Sequence, residues 1–262
     1  DSYKWELPVS KRSLRLGNLQ EKSALSRSAL AVYSSDWAAK YAVEHLGADP
    51  AKVKVVPFGA NISESRSLDD VKRLIERRLH DRQRGDVCRL LFIGTGWQRK
   101  GGDVAVEVAR LLNERGVKTE LTLLGSDAPQ SLPAFVKRAG FLDKRTPEGR
   151  ARFNDLFGSS HFLILPALAE AFGIVLCEAN SFGVPNIATN VGGIPTIVRD
   201  GVNGALFQTG DAKAMSERID GLMRDRNAYE HLAVNSFCEY RSRLNWETAG
   251  RTVKSMLRGL TH

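Results

Sequence analysis

Three cysteines, Cys88, Cys177 and Cys238, are spread over 262 residues with no C-x-x-C pair. An odd number at wide spacing excludes a disulfide framework and gives no zinc signature. Nowhere does the chain reach the roughly 20 consecutive apolar residues of a membrane span. The opening DSYKWELPVSKRS has no apolar run of a secretion signal, so a cytoplasmic protein is expected. The chain also lacks an initiator Met and opens in a mixed, non-periodic stretch, as a fragment would. Internal repeats and low-complexity segments are missing too. Basic residues give a net charge of +8 and a pI near 9.5, which favours anionic partners. They are interleaved with acids, as in 65–89, and form no aromatic-interleaved stripe or nucleic-acid motif. Solvated helix faces account for them, and no nucleic acid is expected. His45, His80, His161 and His231 are scattered and read as surface or structural.

What is present is an alternation of short apolar runs with amphipathic stretches. The content, 42% apolar and 26% charged, suits a globular protein with a real core. Helical spacing at 19–28 precedes a strand at 30–34, a helix at 37–46 with Asp36 as its N-cap and Gly47 as its stop, and a strand at 53–57. A charged helix is expected at 68–82. Strands then fall at 90–93, 121–124, 162–165, 186–188 and near 205–207, with helices at 103–115, 148–157, 174–182 and 212–224. Apolar strands alternating with helices predict an α/β, Rossmann-like, doubly wound parallel sheet with both faces covered. In such sheets ligands bind at the carboxyl ends of the strands. The loops after Ile93, Leu124 and Leu165 are therefore where chemistry is expected.

The first of these, GTGWQRKGG at 94–102, holds four glycines beside Arg99 and Lys100. Glycines permit close backbone approach, and with fixed cations and a helix N-terminus they make an anion site whose natural occupant is a diphosphate. An ordinary glycine-rich turn with exposed basic residues is the bland alternative. A dinucleotide fingerprint begins at Gly94 and Gly96 and then fails, because Arg99 stands where the third glycine belongs. A G-K-[ST] phosphate loop is missing as well.

After Leu165-Pro166 comes EAFGIVLCE, bounded by Glu170 and Glu178 with seven residues between them. Ala171, Phe172 and Gly173 are expected at the helix start, with amides facing a ligand's negative charge. Glu170, in the loop, can accept hydrogen bonds from sugar hydroxyls. Glu178, inside the helix, can take both hydroxyls of a ribose; alone, it would read as a helix-stabilising glutamate. Two carboxylates repel a diphosphate, so neutral hydroxyls are their partners. No Asp-x-Asp occurs in a suitable loop, and no metal or cofactor is expected.

F-x-G-x-x-x-x-x-K-G at 92–101, E-x7-E at 170–178, G-V-P at 183–185 and G-G-I-P at 192–195 together resemble the donor-binding half of glycosyltransferase family 4. The resemblance runs from about Ala31 to Trp246. It implies a GT-B fold of two Rossmann-like lobes and transfer of a sugar from a nucleoside diphosphate with retained configuration. Residue by residue, it implies that Lys100, assisted by Arg99, neutralises the donor diphosphate, and that Glu170 binds the transferred sugar and Glu178 the ribose. Gly94, Gly96, the amides of Ala171, Phe172, Gly173 and Ile174, and a base pocket at Gly140, Phe141 and Leu142 complete the donor site; Lys100, Arg99 and Glu170 carry the catalysis. Thr95 stands where the family usually has Arg, a charge Arg99 is placed to replace, and Thr196 where it commonly has Glu.

The resemblance also divides the chain. Residues 1–58 match the end of an N-terminal acceptor lobe, 59–86 a connector helix, 87–243 the donor domain, and 244–262 a terminal helix crossing back to the first lobe. The expected partners are a nucleoside-diphosphate sugar and a glycan, lipid-linked or small-molecule acceptor. The basic segment at 11–27 is a candidate for peripheral contact with anionic lipid at the inner membrane. Two rivals stand beside the transferase. One is a noncatalytic nucleotide-sugar-binding module or donor half of a split enzyme; the other is a GT-B epimerase, whose acid/base set the sequence does not show.

Overall fold

The computed structural model describes residues 10–83 and 87–260. Most of the opening non-periodic stretch, the end of the expected connector and the final two residues of the terminal segment lie outside them.

Helix α1 (Lys11–Arg27) is capped by Ser10, whose side chain accepts from the Ser13 amide, and buries none of its side chains. Strand β1 (Ala31–Tyr33) and helix α2 (Asp36–Leu46) follow, and β2 (Val53–Val55) pairs parallel to β1. Ala42, Leu46 and Ala48 form a small core here, with Leu25, Tyr33, Val43 and Val53 around it. Ser35, not Asp36, caps α2: its extended backbone and short hydroxyl reach the Ala38 amide. The Asp36 carboxylate is turned elsewhere. It accepts from Thr196 Oγ1 at 2.8 Å, and the same Thr196 oxygen accepts from the Asp36 amide at 2.9 Å. Thr196 thus ties α2 to a segment 160 positions further along the chain.

Next come α3 (Leu68–Gln83), β3 (Cys88–Ile93), α4 (Trp97–Lys100), α5 (Gly102–Glu114), β4 (Thr119–Leu124), β5 (Val136–Gly140), α6 (Pro147–Ser159) and β6 (Phe162–Leu165). The chain closes with α7 (Ile174–Asn180), β7 (Asn186–Thr189), α8 (Ile194–Ile197), β8 (Gly204–Phe207), α9 (Ala212–Arg224), α10 (Arg226–Arg243) and α11 (Trp246–Arg258). Strands β3 to β8 form one six-stranded parallel sheet in the order β5-β4-β3-β6-β7-β8. From β3 the chain builds outward through β4 and β5, then returns and builds the other way from β6. The crevice between β3 and β6 is therefore the topological switch point. All four residues of β6 and of β7 are buried, which requires cover on both faces of the sheet.

Besides the short helix α8, three elements were not foreseen, each for a physical reason. Strand β5 (Val136–Gly140) carries Lys137 and Arg138 on an exposed sheet edge, so it has no apolar run. Helix α10 begins one residue after α9 ends, with Asp225 serving both as C-cap of one and as N-cap of the other. The turn expected at 94–102 contains the helical turn α4, between Gly96 and Gly101 in the left-handed region.

Helix α3 buries Val71, Ile75 and Leu79 in the main core. Arg78, only 1% exposed, goes with them. It donates to the carbonyls of Phe182 at 2.6 Å and Gly183 at 2.8 Å and to Tyr229 Oη at 3.2 Å. A cation on carbonyls just beyond the C-terminus of α7 also meets the negative end of the helix dipole. His161, fully buried beside it, accepts from the Arg89 amide through Nδ1 and donates through Nε2 to the Arg78 carbonyl, a structural role. Replacing Arg78 by Met keeps the apolar stem and strands these buried acceptors. The expected cost is about 2–4 kcal/mol, read as a lower midpoint of urea unfolding; an unchanged midpoint would refute this account of how α3 is docked.

Candidate functional site

The site begins where β3 and β6 end side by side. Gly94 leaves β3 at φ 131, a backbone conformation open to glycine, and lets the Lys100 side chain lie across it. Turn α4 then reverses the chain so that Lys100 faces β6. Trp97 anchors the turn: its amide donates to Asp127 at 3.0 Å and its indole to Asp103 at 2.8 Å, with the ring against Gly102. None of these three groups carried a motif signal.

Gly101 lies directly on the loop after β6. A Cβ there would stand 2.0 Å from the Pro166 carbonyl oxygen, so no other residue fits. The Arg99 carbonyl accepts from the Leu168 amide at 2.8 Å, and the Arg99 guanidinium donates to the Ala169 carbonyl at 3.2 Å. On the far side, Gly192 and Gly193 press equally close to the carbonyls of Glu170 and Ala171, and the Gly193 amide donates to the Glu170 carbonyl. Glu170 is thus held between two glycine-lined walls.

The expected cations and this carboxylate meet. Lys100 Nζ donates to Glu170 Oε2 at 2.7 Å and an Arg99 nitrogen lies 3.7 Å from the same oxygen, with side-chain exposures of 14%, 16% and 11% for Lys100, Arg99 and Glu170. Glu178 lies a full turn into α7, buried, its carboxylate paired with Lys144 at 2.8 Å. Burial pushes the Glu178 carboxyl above its ordinary value, and the hydrogen bond and charge of Lys144 offset part of that push. Lys144, in the turn between β5 and α6, is a site residue that the sequence did not mark.

The remaining expected residues are dispersed around this centre. Gly96 caps α4. Helix α7 starts at Ile174 with Gly173 as N-cap, so Ala171 and Phe172 belong to the loop and not to the helix start as expected. Phe172 is buried and meets Phe58 edge-on at 5.1 Å. Gly140 ends β5, and its carbonyl accepts from the Gly125 amide at 2.7 Å, drawing the β4 and β5 loops together. Phe141, 75% exposed, has its ring edge over Gly125, and Leu142 is half-buried against the core. Among the described residues no cluster of His, Cys, Asp and Glu could hold a metal ion, and no helix is long and apolar enough to cross a membrane.

A doubly wound parallel lobe with paired charges at its switch point is a ligand-binding α/β class of protein. Residues 71–237 match the family of glycosyl transferases group 1, and the chain belongs to that family. The D-inositol 3-phosphate glycosyltransferase of Streptomyces scabiei is 30% identical over 233 residues, which cover 84% of this chain and 51% of the relative. Its counterpart from Paenarthrobacter aurescens is 29% identical, over 81% of this chain and 53% of the relative. The chain spans about half the length of these curated relatives. Among solved structures, HepE of Anabaena in complex with UDP-glucose matches with a TM-score of 0.71 at 20% identity, over 96% of this chain and 68% of that one. Such likenesses establish the fold as that of the Rossmann-like C-terminal lobe of GT-B glycosyltransferases.

The pH behaviour of Glu178 follows from its burial. A carboxyl whose folded pKa lies above the ordinary 4.5 contributes stability that is complete below that value and is lost as pH rises through the folded pKa. Glu178→Gln removes this dependence. Chemical denaturation from below pH 4.5 to neutrality is expected to show the variant gaining on the parent as pH rises; parallel stability curves would refute the assignment.

Proposed function

We propose that this chain is the donor-binding part of a retaining family 4 glycosyltransferase, which binds a nucleoside-diphosphate sugar and, with a complete acceptor side, transfers the sugar to an acceptor hydroxyl. The observation that carries the reading is the convergence of Lys100, Arg99 and Glu170 at the end of β3 and β6, on loops held together by Gly101 and Pro166. The UDP-glucose in the Anabaena neighbour lends it support.

In this reading the diphosphate lies over the loop at 94–100, and Lys100 and Arg99 offset the charge that grows on it as the bond to the sugar breaks. Their positive charge does the work a divalent cation does elsewhere. Glu170 accepts hydrogen bonds from the sugar, and its bond to Lys100 couples sugar placement to the phosphate cation. Glu178 takes the ribose hydroxyls. Phe141 and its neighbours Gly140 and Leu142 border the base. The acceptor, a glycan, a lipid-linked molecule or a small molecule, belongs to the other side of the cleft.

Titration of UDP, GDP and ADP, each with and without magnesium, tests the site. At least one is expected to bind without metal, and Lys100→Ala to weaken it by about ten-fold or more, the scale of a lost charge-assisted hydrogen bond. Failure of all three to bind, or indifference to Lys100→Ala, would defeat the assignment. A noncatalytic nucleotide-sugar-binding module is the rival reading. Donor hydrolysis by this chain argues against that rival; binding without turnover, restored by a supplied N-terminal lobe, would support a half-enzyme.

A further inference from the structure

Lys144 lies outside every motif of the site, yet its ammonium is fixed from three directions. It donates to Glu178 Oε1 at 2.8 Å and to the Asn61 carbonyl at 3.2 Å, and sits 4.6 Å from the centre of the Phe153 ring. Asn61 is itself held, because its side-chain oxygen accepts from the Trp246 indole at 2.9 Å. The chain segment after β2, helix α6 and, one step removed, helix α11 thus converge on a single cation. The carboxylate it meets is nearly closed off, with a side-chain exposure of 6%, whereas the lysine, at 41%, keeps contact with water.

The geometry points to Lys144 as the positioning residue that makes Glu178 an acceptor for ribose hydroxyls. The inference rests on Glu178 as the ribose ligand in the proposed donor site. A protonated carboxyl presents an O–H and loses acceptor capacity, whereas the carboxylate offers lone pairs on both oxygens to two hydroxyl donors. Burial alone favours the protonated form. Lys144 opposes it with a charge held in place by the Asn61 carbonyl and the Phe153 ring, and by engaging Oε1 it also sets the plane of the carboxylate. Selectivity for a nucleotide that carries its ribose hydroxyls is then a property of the pair, not of Glu178 alone.

The experiment compares two ligands on several variants: whichever of UDP, GDP and ADP binds the parent, and its 2′,3′-dideoxy counterpart. The parent is expected to prefer the ribose form by about ten-fold or more. Lys144→Met is expected to bring that ratio close to one while leaving the dideoxy ligand's affinity within about two-fold, and Lys144→Arg to restore much of the preference. Lys144→Gln serves if the Met variant fails to fold. In a Glu178→Gln background, loss of Lys144 is expected to leave the ratio unchanged, because the neutral amide needs no counter-charge. A parent without ribose preference would overturn the reading of Glu178 and the inference with it. A parent preference that survives in both Lys144→Met and Lys144→Gln would overturn the inference alone. Equal weakening of both ligands would also overturn it, by placing Lys144 on the phosphates.

Discussion

Backbone pressed on backbone with no side chain between is the constraint on which this site depends. Gly101 rests on the Pro166 carbonyl, and Gly192 and Gly193 rest on those of Glu170 and Ala171. A methyl at any of the three would overlap carbonyl oxygen. The contacts bring the loop after β3, the loop after β6 and the turn after β7 into one layer at the carboxyl edge of the sheet. Lys100 reaches Glu170 because that layer exists. The glycines of K-G and G-G-I-P thus act as spacers of minimal thickness, and their part in any chemistry is to set distances between residues that do have side chains.

Around that layer, at the carboxyl edge of the sheet, the charges are paired in a repeating way. Each glutamate has its own lysine, Glu170 with Lys100 and Glu178 with Lys144, and each carboxylate is more enclosed than open. Removing one partner of such a pair leaves an uncompensated charge away from water, whereas the intact pair adds little net stability. Pairs of this kind are poor choices for holding a core together. They suit a crevice whose donors and acceptors can be shared with a polar ligand. Stability is instead concentrated in the apolar strands and in Arg78 beneath α7, well away from the crevice mouth.

A second set of contacts joins the two sheets. Thr196 exchanges hydrogen bonds with Asp36, Ser35 donates to the Ala171 carbonyl at 3.4 Å, and Phe58 packs between Phe172 and Trp246. The residues that border Glu170 on one side therefore answer to the β1-α2 unit on the other. Through Asn61, the indole of Trp246 is also linked to Lys144 and Glu178. Both glutamates are thereby coupled to segments of chain outside the six-stranded sheet.

By itself the sequence determined the fold class, most of the strands of the main sheet, and the loops after β3 and β6 as the place for chemistry. It did so because buried parallel strands leave unbroken apolar runs such as Phe162–Leu165, and because glycine and proline at fixed offsets mark close backbone approach. It missed β5, whose exposed edge tolerates lysine and arginine, and it left α10 unassigned although α9 ends at Arg224 as expected. Strand order, the switch point between β3 and β6, and the partners of each charge were decided only in three dimensions. Lys144 meets Glu178 from 34 positions away, and Asp36 meets Thr196 from 160. No local pattern records such pairs, because chain connectivity constrains neighbours in sequence, whereas the partner of a buried charge is set by which loops the sheet order brings to the same edge.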